Sequence, residues 1–536
     1  MKKYYCIFVQ WYIEAILILS PLIVTDYYAN ITATKSWFFV ISSGVIALIT
    51  FIFIKEAGKL LRLNPVVLCA LAFIVLSTIS LKLSPYGGGF SMGSGRSMGV
   101  LFFSACAVCL LVLTNVTVRD KVLVWGTFAA EAVVVCIAVL NFCGVDFLGF
   151  VSAVPKFARG RYLSTIGYGN YLSQYVSMVA AMEIAKLLTG PAGQGAKGSS
   201  QGKRAENVLR EAFRRLDRST YILLGLLFLS YVGLIVSASS GGFIGLLFAV
   251  SLAPFFIREK SAYRRLGLAF LPFPFACLFG KLLFEFTVLG VGARGDQIVR
   301  VLMKWPVMIA LVLAAAAVFS WLVWGKRMRG KVKKAGGASG GAGKGKASGK
   351  GTDPHARFRT IYGIIYAAAA AAGAVVMILS NTGVLATALT VTDSFASNRG
   401  FIWKESLRLF ADAPILQKLF GVGPDKLLQY YTANIGEARM MEAAGQIFDS
   451  PHNFMLYYLL TGGILGLLAV LSGIALGVRE VVQNRRESAF LFFLPFACCM
   501  IQAMVVPSTP IVIPIALVCF AAAYERAGEP GDGKNT

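Results

Sequence analysis

The sequence predicts an all-α polytopic membrane protein with about fourteen transmembrane helices and one large external helical loop. Three observations carry that reading. Of 536 residues, 57% are apolar and only 14% charged, with mean hydropathy +0.70. Apolar runs of span length recur along the chain, and the basic residues concentrate in alternate connections. A soluble enzyme of this size needs far less apolar surface.

A span needs roughly 20 mainly apolar residues to cross a hydrocarbon core about 30 Å thick. The candidate runs are 7–25, 36–54, 65–81, 98–116, 122–142, 169–188, 219–236, 242–257, 266–288, 302–324, 361–381, 453–477, 488–505 and 508–524. The first follows Met1-Lys2-Lys3 and has no small-residue cleavage site before Asp26, so it reads as a retained signal anchor. Both termini are then expected in the cytoplasm. Alternating sides from there puts most of the 51 Lys and Arg in cytoplasmic segments, while the 26 Asp and Glu show no such bias. That is the positive-inside pattern, which follows Lys and Arg rather than net charge. The formal charge of +25 is therefore topological, and no nucleic-acid partner is expected.

The domain reading follows. Residues 1–381 form a transmembrane bundle, 382–452 a large extracytoplasmic loop, 453–524 the C-terminal transmembrane helices, and 525–536 a tail expected to be disordered. The basic cytoplasmic loops 189–218 and 325–360 are Gly/Ser/Lys-rich, exemplified by GGASGGAGKGKASGKG. Such tracts bury too little surface to offset chain entropy and are expected to be disordered. Their lysines, Lys331, Lys333 and Lys334 among them, either touch anionic lipid headgroups or serve as a solvated tether that also fixes topology.

Two histidines, His355 and His452, are too few for a histidine-built metal site, and HExxH is absent. The ten cysteines lie nearly all in apolar runs, where a thiol acts as a small hydrophobe, and the one CxxC spacing, Cys106 and Cys109, falls mid-helix. No metal or other cofactor is expected. Charges inside the spans are few: Glu14, Glu131, Glu183, and Lys281 with Glu285 four residues on. Such groups are functional candidates by default, although the last pair can neutralise itself.

The longest external segment, 382–452, holds the richest pattern. Ile402, Trp403, Leu407 and Phe410 recur at helical offsets, so 398–411 reads as an amphipathic helix capped by Ser397 or Asn398, with Arg399 in its first turn. Ala413-Pro414 stops it, and Phe420-Gly421-Val422-Gly423-Pro424 forms a tight turn where glycine permits backbone angles closed to other residues. A second helix is expected over Asp425–Ile435. The loop ends in Ser450-Pro451-His452-Asn453.

A lone histidine at a helix start is ordinarily a surface or capping residue. His452, however, falls at the water–membrane boundary, where a lipid-borne substrate presents its headgroup, and an imidazole suits a general base. Asn453 offers an amide for positioning. External arginines form the second element: Lys156, Arg159 and Arg161 cluster in PKFARGRYLSTIGYGN, while Arg399, Lys404 and Arg408 lie in the large loop. A guanidinium fork matches phosphate oxygens, so a basic outer cavity would suit a diphosphate; single outer arginines can equally anchor at headgroups, the reading preferred for Arg408.

Together these residues resemble the O-antigen ligase and polymerase superfamily of bacterial membrane glycosyltransferases. The carrying fragments, in order, are Arg161 to Asn170, SASSGG at Ser237–Gly242, Arg399 with Trp403, Phe420 to Pro424, and His452-Asn453 ahead of Gly462-Gly463-Ile464-Leu465-Gly466. The resemblance implies a multi-pass protein of the bacterial cytoplasmic membrane. It would move a glycan from a polyprenyl pyrophosphate carrier to an acceptor hydroxyl of a glycan or lipid, without metal and with inversion. It assigns the catalytic histidine to His452 and phosphate-facing arginines to Arg161 and Arg399. Lys156, Arg159, Asn170, Trp403, Lys404, Gly421, Gly423 and Asn453 are the accompanying substrate-binding candidates. Many members carry an arginine within the segment matching SASSGG. Here Ser240 or Gly241 takes its place, so a third phosphate contact falls to Arg294 or Arg300. The competing reading is a lipid-linked oligosaccharide flippase or other transporter, which should show two similar halves and mid-membrane polar groups on several helices. No convincing repeat relates 1–257 to 258–536.

Overall fold

A computed structural model describes residues 2–25, 27–28, 30–86, 92–93, 95–117, 120–155, 159–190, 217–257, 260–286, 297–318, 356–381, 390–507 and 509–528. The basic tracts expected to be disordered, the C-terminal tail, and the candidates Lys156, Arg294 and His355 lie wholly or mostly outside these residues. Among the described residues the chain is helical apart from one short antiparallel pair, β1 (Tyr162–Leu163) and β2 (Gly167–Tyr168), in register Tyr162↔Tyr168 and Leu163↔Gly167.

The first half comprises α1 (Lys2–Glu14) running into a π-helical turn, α2 (Ile31–Ile52), α3 (Ile54–Ala57), α4 (Pro65–Leu83), α5 (Val100–Leu113), α6 (Asp120–Phe142), α7 (Gly169–Thr189) and α8 (Arg218–Val236). Next come α9 (Ser240–Ser251), α10 (Ala253–Phe256), α11 (Lys260–Phe270), α12 (Pro272–Phe286), α13 (Gln297–Leu302), α14 (Trp305–Val318) and α15 (Ala356–Asn381). The large loop supplies α16 (Phe395–Asp412), α17 (Ile415–Phe420), α18 (Leu427–Asn434) and α19 (Glu437–Ala444), and the chain closes with α20 (Phe454–Asn484), α21 (Glu487–Gln502) and α22 (Ile513–Gly528).

Among the described residues six helices are long and apolar enough to cross a membrane: Ile31–Ile52, Pro65–Leu83, Lys121–Phe142, Arg218–Val236, Ala262–Phe286 and Phe454–Asn484. The other predicted runs also coincide with helices, but these are shorter, broken or more polar. The described helices show an all-α membrane protein, and the count of fourteen spans stays an expectation from the sequence. Large apolar side chains such as Leu48 and Phe51 of α2, Val75 of α4, and Phe275 and Leu282 of α12 are exposed. Contiguous apolar surface of this kind suits lipid and would be costly in water.

The interior is organised around α7, which is buried along nearly its whole length and packs against α8, α9, α11 and α21. Local rules set several boundaries. Asn64 caps α4 through the Val67 N–H at 3.1 Å, with Pro65 in the first turn, where its missing N–H costs nothing. Asn453 caps α20 in the same way, accepting from the Leu456 N–H at 3.1 Å.

The segment linking α17 to α18 is threaded into a break in α20. Gly463 has φ 66° and ψ −170°, and Gly421, facing it, has φ 79°. The Val422 and Gly423 N–H groups donate to the carbonyls of Leu460 and Thr461 at 2.9 and 3.1 Å. A Cβ on Gly421 would lie 2.4 Å from Thr461 backbone, and one on Gly463 2.3 Å from Leu419 backbone. Ser80 and Ser84, at the end of α4, donate to Thr461 O and Val422 O. Gly421 and Gly423, expected on the substrate side, thus serve a backbone-to-backbone joint that fixes the large loop to the end of the bundle.

Candidate active site

The approach to Arg399 is strained. Ala396, Ser397 and Asn398 have φ of 49°, 61° and 68°, three consecutive left-handed residues without a glycine, each costing about 1 kcal/mol or more. Regular helix therefore starts at Arg399, and neither Ser397 nor Asn398 caps it. The Asn398 amide instead donates to Ala444 O at 3.2 Å, tying the turn to α19. Gly400 lies against Thr392, whose carbonyl oxygen would be 1.8 Å from an added Cβ. Arg399 emerges half-buried with Nη1 donating to Ala396 O at 3.0 Å.

One turn on, Trp403 donates its indole N–H to Pro451 O at 2.9 Å. This bond joins the arginine-bearing helix to the histidine-bearing strand of chain, so Trp403 positions the site through the backbone. Lys404 points to solvent and pairs with Asp393 at 2.7 Å, both more than half exposed. Arg408 pairs with buried Glu405 at 2.6 Å, alongside Arg439 at 2.8 Å. Both cations are matched locally within the loop, and the exposed Lys404–Asp393 pair is of small energetic weight.

His452 also adopts a left-handed backbone, φ 51°, with its N–H directed at Ser450 Oγ at 3.3 Å. Its Nδ1 is buried and has no hydrogen-bond partner among the described residues. Burial, then the positive charges of Arg96 and Arg399, push its pKa down to about 3, with Asp449 opposing them. The imidazole is therefore neutral at pH 7, flanked by two guanidinium groups within electrostatic reach.

Arg96, which the sequence reading did not single out, is the most heavily engaged arginine of the site. Its side chain is 13% exposed, with Nη2 on Asp449 at 2.6 Å and Nη1 on the Tyr171 hydroxyl at 2.9 Å. The backbone N–H groups of Gly95, Arg96 and Ser97 donate to the Asp425 carboxylate at 2.8, 2.8 and 3.2 Å. Burial raises the Asp425 pKa, which these N–H groups oppose and Asp449 reinforces. Gly93, φ 92°, permits the approach, because a Cβ there would lie 2.1 Å from Asp425 Oδ2. The sequence signal was present in Met92-Gly93-Ser94-Gly95-Arg96-Ser97: a solitary arginine among glycines and serines between two apolar runs.

The remaining candidates separate. Arg161 ends the 3-10 turn Arg159–Arg161 and is exposed, immediately before the β1–β2 hairpin. Its carbonyl lies 3.7 Å from a Cβ built on Gly169, so its backbone sits beside the start of α7, two residues from Tyr171. Arg159 instead folds back on its own loop, donating to Val154 O and Ser152 O, each at 2.9 Å. Asn170 is half-buried in the first turn of α7. The Asn453 amide is used at both ends, accepting from Leu456 N and donating to Met504 O at 3.1 Å. It is a helix cap rather than a free amide. Arg300 is exposed on α13. The SASSGG segment joins α8 to α9, where Ser240 Oγ accepts from Ile298 N at 3.3 Å and Gly242 N donates to Ser173 Oγ at 3.0 Å.

A cavity of about 160 Å³ lies in the bundle, lined chiefly by apolar residues including Phe73, Phe103, Phe454, Tyr458, Phe496 and Phe520. Phe454 stands two residues after His452, so one wall of this cavity lies close to the histidine in the chain.

Residues 306–471 match the family model described as O-antigen ligase, a stretch that contains Arg399, Trp403 and His452 and ends before α21. No curated protein matches the chain. Over that segment, less than half of its length, the chain is similar to the O-antigen ligase family.

Proposed function

We propose that the chain transfers a glycan from a polyprenyl pyrophosphate carrier to an acceptor hydroxyl at the outer face of the bacterial cytoplasmic membrane, as a polymerase or ligase of surface polysaccharide assembly. The observation that carries this reading is a half-buried neutral imidazole, its Nδ1 buried, within electrostatic reach of Arg96 and Arg399 at the end of a membrane bundle.

In the reaction, the bond from the anomeric carbon to the pyrophosphate oxygen breaks as the acceptor oxygen attacks from the opposite face, inverting the centre. Negative charge grows on the leaving diphosphate. Arg399 and Arg96 stabilise it in surroundings where low dielectric strengthens each contact, and exposed Arg161 closes on the outer oxygens. His452 takes the proton from the acceptor hydroxyl. A pKa near 3 makes imidazole a weak base; burial is the largest cause of that depression, and the charges of Arg96 and Arg399 add to it. A bound diphosphate neutralises them, raising the pKa as the substrate arrives. Asp449, released from Arg96 by the competing phosphate, then stabilises the imidazolium.

The test is transfer by purified protein in lipid bilayers from a polyprenyl-pyrophosphate glycan. His452→Ala should lower turnover by about 10²–10⁴-fold, the range of a general base, with insertion intact. Arg399→Lys should lose most activity, since an ammonium cannot reproduce the bidentate fork. Near-wild-type turnover in both variants overturns the reading.

A further inference from the structure

The proposed transfer chemistry leaves one polar cluster unused, deep in the bundle. Glu131 lies at the midpoint of α6, about 16 Å of helix from either end. Glu183 of α7 and Ser230 of α8 meet it there, and all three are fully buried. Ser230 Oγ is 3.0 Å from Glu131 Oε1 and 2.9 Å from Glu183 Oε2. The second oxygen of each carboxyl, Glu131 Oε2 and Glu183 Oε1, is buried without a hydrogen-bond partner among the described residues.

Hydrogen counting constrains the protonation state. A serine hydroxyl has one hydrogen and can donate to one carboxylate only. The other short oxygen–oxygen contact needs its own hydrogen, so the second carboxyl must be protonated and donate to Ser230 Oγ. The alternative is two like charges sharing one hydroxyl in a water-free interior, an arrangement that cannot persist without a counter-ion. Among the described residues neither carboxylate has an ion-pair partner.

A further buried group lies near the cluster. The Tyr175 hydroxyl of α7 is fully buried, has no hydrogen-bond partner among the described residues, and lies within electrostatic reach of both carboxyls. The other titratable neighbours are Cys136 of α6, near Glu131, and Tyr231 of α8, whose hydroxyl donates to Ala269 O at 2.9 Å. From the adjoining helices, Arg265 of α11 donates to Leu188 O at 2.7 Å, Lys281 of α12 is paired with Glu285 at 2.6 Å, and α21 carries the thiols Cys498 and Cys499, with Glu487 exposed in its first turn. A divalent ion needs six or more oxygen ligands, more than two carboxyls and two hydroxyls present as single contacts.

We propose that Glu131, Ser230, Glu183 and Tyr175 form an intramembrane proton-binding site, in which one exchangeable proton is held between the two carboxyls through the serine hydroxyl. Its occupancy couples the packing of α6, α7 and α8 to proton supply, independently of the glycan-transfer reading.

Infrared spectroscopy of the full-length protein in lipid nanodiscs tests this directly. At neutral pH the wild type should show a protonated-carboxyl C=O band that shifts in D₂O. The band should be lost in E131Q/E183Q, and it should move in Ser230→Ala, which removes its acceptor without altering charge. Replacing N-methylglucamine chloride by sodium chloride should leave it unchanged. Absence of the band from the wild type, its persistence in E131Q/E183Q, or an unmoved band in Ser230→Ala overturns the proposal. Loss of the band on adding sodium does so too, making this a sodium site instead.

Discussion

At the scale of single residues, the neutral state of His452 has consequences of definite sign. Its folded pKa, about 3, lies below the unfolded value of about 6.5. The unfolded chain therefore binds more protons between those limits, and stability is lost progressively as pH falls below about 6.5. His452→Gln should weaken this acid lability: its thermal midpoint should fall less between neutral and mildly acidic pH than that of the wild type. Arg96 offers a second prediction. Arg96→Ala leaves half-buried Asp449 without its ion-pair partner and should lower the melting temperature. Arg96→Lys keeps the charge but not the fork, so it should preserve the fold while cutting transfer as severely as Arg399→Lys. Equal turnover of Arg96→Lys and wild type would confine Arg96 to a structural role.

At the scale of elements, the joint between Gly421 and Gly463 decides whether the large loop is held at all. Both glycines have positive φ and both face backbone at 2.4 Å or less from an added Cβ. Gly463→Ala should therefore destabilise the protein by at least about 1–2 kcal/mol from the backbone conformation alone, with the steric clash added, read as a lower melting temperature. What was legible in the sequence also sorts by element. Apolar runs locate helices because burial and lipid contact impose a long composition signal, and Asp425–Ile435 anticipates α18 at Leu427–Asn434. The start of α16 was not legible, because left-handed Ala396 and Ser397 carry no local mark of that conformation. The short helices α17 and α19 were not anticipated either, since their few residues show too little periodicity. The glycines of Phe420-Gly421-Val422-Gly423 were readable as a turn, but that they fill a break in α20, some 40 residues on, follows only from packing.

At the scale of the whole molecule, the site is assembled from segments near residues 93–97, 399–403 and 449–453, held by the Asp425, Tyr171 and Pro451 contacts. His452 was readable because only two histidines exist and this one precedes a span. Arg96 was not, because its importance comes from a carboxylate about 350 positions away, which no local spacing reports. The central claim is that His452 is a half-buried neutral imidazole, held neutral by desolvation and by the charges of Arg96 and Arg399, and poised to respond to a diphosphate. The most direct measurement is an NMR titration of ¹³C/¹⁵N-histidine-labelled protein, with His355→Ala assigning the two imidazoles, in the absence and presence of inorganic pyrophosphate. The account predicts a His452 pKa far below the usual histidine range that rises when pyrophosphate is added, and does not rise in Arg96→Lys/Arg399→Lys. An ordinary pKa near 6.5, or one indifferent to pyrophosphate, contradicts it.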